Sequence, residues 1–71
     1  SRMLIQVCES LAEPQTRRRE LTALTEAMKE LGLSNATIVT RSDDERIDTG
    51  NLTIRALPAW RFLLDLPDSV E

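Results

Sequence analysis

The stretch Leu4-Ile5-Gln6-Val7-Cys8 decides how the rest of the chain is read. It is an apolar run broken once by an amide and ended by a thiol. Such a run reads as a strand over residues 3–8, covered on both faces and therefore central in its sheet. Side chains alternate along a strand, which places Leu4, Gln6 and Cys8 on one face and Met3, Ile5 and Val7 on the other. Burying an amide without partners costs about 1–3 kcal/mol. Gln6 therefore needs either a structural partner or a chemical role.

Downstream, the periodicity changes. Residues 9–13 form a connection, and Pro14 sits where a helix can begin, because its missing N–H would be unpaired in the first turn anyway. Leu21, Leu24, Met28 and Leu31 then recur at helical spacing, with Ala23 and Ala27 beside them. Gly32 ends the helix as a left-handed cap. Residues 36–40, Ala-Thr-Ile-Val-Thr, are a β-branched strand expected to run parallel to the first, since a helix joins the two. Residues 46–48 and 52–57 flank Thr49-Gly50-Asn51 as an antiparallel hairpin with Ile47, Leu52, Ile54 and Ala56 inward. Pro58 opens a second helix with Trp60, Leu63 and Leu64 on one face. Pro67 stops it, and residues 68–71 are a frayed tail.

The expected fold is α/β: a small mixed sheet in β-α-β-β-β-α order. Met3, Ile5 and Val7 are placed under the long helix, with the reversed arrangement as the alternative. If both helices share one sheet face, the opposite face stays open and its apolar residues need a partner.

Seventy-one residues make a single small domain over 1–71. A chain of this size buries only about 60% of the surface it exposes when unfolded. Its single cysteine cannot form an internal disulfide, and without histidine no zinc cage can be built. Nine basic against twelve acidic residues give a net charge of −3, which argues against an autonomous nucleic-acid binder. No apolar run approaches the roughly 20 residues of a membrane span, and a lone thiol without targeting pattern fits a reducing cytoplasm.

Few residues carry the grammar of catalysis. Cys8 ends the first parallel strand, where α/β folds place ligands. A phosphatase-like arginine six residues later is replaced by Pro14, a redox C-x-x-C partner by Leu11, and no histidine can generate the thiolate. Cys8 is therefore read as a structural thiol. Asp43, Asp44 and Glu45 form either a hard-metal site or a solvated loop that guards a strand edge, and the loop is favoured. Arg17, Arg18 and Arg19 lie about 100° apart around a helix and cannot all face one phosphate. Trp60 is assigned to the core, with a subunit contact as its alternative. No P-loop or GxGxxG turn is present.

A family resemblance enters here. Leu-Ile-Gln-Val-Cys at 4–8, Thr16-Arg17 and Arg19-Glu20 opening the helix, Glu30-Leu31-Gly32 closing it, and Leu57-Pro58-Ala59-Trp60 resemble the C-terminal domain of prokaryotic AAA-type P-loop ATPases. That domain has no assigned function and is similar to the PD-(D/E)xK nuclease fold. The resemblance implies a truncated restriction-endonuclease-like core and a C-terminal fragment of a longer ATPase. ATP and Mg would belong to the parent's ATPase module, with no cofactor in this fragment. Gln6 falls where the nuclease motif has its acid and Cys8 where it has lysine. These are degenerate motif positions, so no catalytic and no metal-binding residue is expected. The implied function is a non-catalytic module for assembly or partner recognition. It would self-associate as a homodimer, with Leu4 and Trp60 as candidate interface residues, and meet its own ATPase module in the full protein. The alternative is a degenerate nuclease domain that binds or cleaves DNA within the full-length protein.

Overall fold

Helix α1 (Pro14–Leu31) shows how local chemistry sets element boundaries. Glu13 caps its start by accepting the Thr16 N–H at 2.7 Å, and Pro14 occupies the first turn. This capping bond holds the Glu13 carboxyl below its ordinary range. At the other end Gly32 adopts φ +70°. The Gly32 and Leu33 N–H groups then donate to the carbonyls of Lys29 and Met28 at 3.3 and 2.8 Å. This double bond pattern is the Schellman closure.

The structure, a computed structural model, describes residues 3–65. Beside α1 these form β1 (Ile5–Val7), β2 (Asn35–Thr40), β3 (Glu45–Thr49), β4 (Leu52–Pro58) and α2 (Ala59–Asp65). The α/β class and the β-α-β-β-β-α order match the reading of the sequence. The stop at Pro67 and the expected tail lie outside the described residues. One sheet holds the strands in the order β1-β2-β4-β3. β1 and β2 are parallel, as are β2 and β4, and β3 pairs antiparallel with β4. Thr49 pairs with Leu52, so Gly50 and Asn51 make a two-residue turn in which Gly50 takes φ +61°.

The core lies between α1 and one face of the sheet. Leu24 and Met28 pack there against Ala36, Ile38, Ile54 and Ala56, with Leu4, Cys8, Leu21, Ile47 and Leu52 around them. Leu11 joins them almost fully buried, although its segment reads as a mere connection. It is anchored through its N–H, which donates to Asp43 Oδ2 at 2.9 Å.

Several expectations are corrected. β1 pairs only with β2 among the described residues, so it is an edge strand and not a central one. Its apolar run is not covered on both faces: Leu4, Gln6 and Cys8 turn toward α1, while Met3, Ile5 and Val7 are exposed. The face assignment is thus the reverse of the first expectation. Leu31 and Ala23 are exposed, because the helix presents only its Leu21–Leu24–Met28 stripe to the sheet. Pro58 closes β4 instead of opening the helix, paired in register with Thr40. The two helices do not share a face. Val39 and Leu57 alternate with the core residues Ile38 and Ala56, so they point to the second face. They are buried there outside the α1 core, and α2 is the element set against β2 and β4. α2 lies toward the β2–β4 end of that face, and among the described residues Met3, Ile5 and Val7 stay exposed beside it.

Candidate functional site

Gln6 and Cys8 share the face turned toward α1, as strand alternation requires. The Gln6 amide Nε2 donates to Glu20 Oε1 at 2.6 Å and lies 3.2 Å from the Glu20 carbonyl oxygen. One side chain thereby satisfies its half-buried donor and ties β1 to the second turn of α1. Glu20 lies one helical turn before the buried Leu24, on the same face. The lone amide in the strand signals that a polar partner is needed, but the sequence does not single out Glu20 as that partner.

Cys8 packs against the core, with Sγ 3.9 Å from the Ser10 carbonyl. Burial raises the thiol above its usual range, and the negative charges of Glu20 and Asp43 push it further the same way. At neutral pH the sulfur stays protonated and poorly nucleophilic. An amide that already donates to a carboxylate and a protonated thiol in a core edge do not fit a divalent cation, which prefers anionic oxygen ligands.

The acidic run 43–45 is likewise committed to the fold. Asp43 holds Leu11, and its own N–H donates to the Thr40 hydroxyl at 2.8 Å. Asp44 bridges Arg55 and Arg61 at 2.8 and 3.1 Å. Glu45 grips Arg17 through two bonds of 2.7 and 3.0 Å, tying α1 to β3. This fork lowers the Glu45 carboxyl and raises the Arg17 guanidinium, in each case chiefly through the shared hydrogen bonds. The run is a set of struts between elements, which a simple solvated loop would not supply. Among the described residues no group of histidine, cysteine or acidic side chains could hold a metal ion. Arg18 and Arg19 are exposed on α1 and do not converge with Arg17, which turns to Glu45.

The remaining chemistry is apolar and lies on the second sheet face. Val7, Val39 and Leu57 stand in one register row across β1, β2 and β4. α2 shields Val39 and Leu57, but Val7 remains 74% exposed and lines a shallow groove with Val39, Thr40 and Ala59. Met3 and Ile5 continue the open surface along β1, and Trp60, Leu63 and Leu64 are exposed on α2. Trp60 is therefore not a core anchor: it is 61% exposed. Leu4 is half-buried against the α1 core and so lies on the face opposite Met3, Ile5 and Val7. No helix among the described residues is long and apolar enough to cross a membrane. No family model, no curated protein and no solved structure matches the chain.

Proposed function

We propose that this chain is a non-catalytic interaction module serving assembly or partner recognition. In keeping with the resemblance of its strand and helix ends, its setting would be the C-terminal part of an AAA-type ATPase. The observation that carries this reading is the concentration of exposed large apolar side chains: Ile5 and Val7 on β1, Met3 just before it, and Trp60, Leu63 and Leu64 on α2. Scattered apolar residues are ordinary on a protein surface, but a contiguous apolar strand face marks a place where something binds.

The strand positions that resemble a nuclease motif support the same reading. Gln6 is engaged with Glu20 and Cys8 is packed into the core edge, so both serve architecture. The alternative, a degenerate nuclease, has only the strand pattern behind it. Light scattering over a concentration series tests the proposal: reversible self-association is expected, weakened by Trp60→Ser or Val7→Ser. A strict monomer at millimolar concentration whose open face also binds no other protein would contradict it.

A further inference from the structure

We infer that a second copy of this chain completes the sheet by antiparallel pairing of β1 with itself, on a two-fold axis passing beside Ile5. The inference rests on the interaction-module reading and names its partner. The Leu4 carbonyl accepts the Thr37 N–H, and the Cys8 N–H donates to the Val39 carbonyl, each at 3.0 Å. Alternation then aims the main-chain groups of Leu4, Gln6 and Cys8 at β2, and those of Ile5 and Val7 away from it. Among the described residues no strand meets them on that side.

The two sheet edges differ in charge. β3 carries Glu45, Arg46 and Asp48, charges of the kind that discourage a sheet edge from pairing with another chain. Residues 3–8 carry no charge at all. Two copies can therefore approach along β1 without like charges meeting, although each chain is net negative.

With the axis at Ile5, Ile5 faces Ile5 of the second copy and Met3 faces Val7 of the second copy. All of these are outward-bonding positions, so the pairs exchange both main-chain hydrogen bonds. The same register stacks apolar against apolar on the open face. Two four-stranded sheets become one continuous sheet. An edge contact of this length buries less than the roughly 1,200 Å² of stable complexes, so the dimer is weak and concentration-dependent.

A charge-swap experiment reads the register directly. Ile5→Lys and Ile5→Glu each place like charges opposite one another, and each alone should weaken dimerisation about tenfold or more in sedimentation equilibrium. Mixing the two should restore dimers, because Lys then faces Glu across the axis. If either variant fails to fold by circular dichroism, Val7→Lys mixed with Met3→Glu asks the same question at two more exposed positions. Dimers that survive both single Ile5 variants but dissociate with Trp60→Ser would overturn β1 pairing while leaving the module reading intact. A monomeric parent chain at every concentration overturns the self-pairing outright.

Discussion

Replacing Gln6 by Glu asks whether the amide is architecture or the remnant of an acidic site. In the native chain Nε2 donates to Glu20 Oε1 at 2.6 Å, a charge-assisted bond worth about 1.5–3 kcal/mol. Gln6→Glu removes the donor and sets a second carboxylate against the first. Two unit charges about 4 Å apart repel by about 1 kcal/mol in water and about 4 kcal/mol near a protein surface. Because the pair is only part-buried, the lower half of that range applies. Adding the lost bond gives a destabilisation of about 2.5–5.5 kcal/mol, a large share of the roughly 4–10 kcal/mol expected for a domain of this length. The penalty has a pH signature. Two carboxyls sharing a site bind a proton more readily folded than unfolded, so the variant loses stability as pH rises and recovers it as pH falls. Urea denaturation at neutral pH and at about pH 4 measures both effects. Gln6→Leu should cost about 1–2 kcal/mol without the relief at acid pH. If Gln6→Glu is as stable as the parent at neutral pH, the strut argument is wrong.

Other consequences are more local. Met28→Ala empties the fully buried centre under α1 and should cost about 2–5 kcal/mol in chemical denaturation; an unchanged midpoint would mean that α1 does not pack as described. Cys8 should alkylate more slowly in the folded chain than in urea, with the difference largest near neutral pH, because burial first and then Glu20 and Asp43 raise the thiol. Equal rates in the two states would place the sulfur in open solvent. Arg17→Gln opens the fork to Glu45 and should cost no more than about 1 kcal/mol, since both side chains are more than a third exposed. As the Glu45 carboxyl is lowered in the folded state, the stability it gives is present above the ordinary carboxylate range and is lost as pH falls through the depressed value. An acid titration in which Arg17→Gln and the parent lose stability in parallel would contradict that assignment.

Periodicity made most of the fold legible. The Leu24–Met28 stripe, the Gly32 cap and the Gly50 turn each state a local rule that nothing in the tertiary structure overrides. The place of β1 in the sheet was not legible in the same way. Six residues with one amide look alike whether a second layer covers them or not, because Leu4 and Cys8 on one side and Met3, Ile5 and Val7 on the other are all uncharged and mostly apolar. What separates the faces is a long-range contact, Gln6 to Glu20, that no local pattern encodes. Trp60 misled for a related reason. An aromatic on a short helix is ordinarily core, but among the described residues Trp60 is not covered and stays 61% exposed on α2. The acidic run 43–45 resembled a loop in composition, and only the packing of α1, β4 and α2 around it shows three separate struts.

One measurement addresses both the Gln6–Glu20 strut and the proposed contact face of Met3, Ile5 and Val7. Amide spectra of the ¹⁵N-labelled chain, recorded from micromolar to millimolar concentration, should show Ile5 and Val7 moving together with the Trp60 indole while the Gln6 side-chain amide holds its shift. Spectra that do not change with concentration, or a Gln6 resonance that moves while Ile5 and Val7 stay fixed, would contradict them.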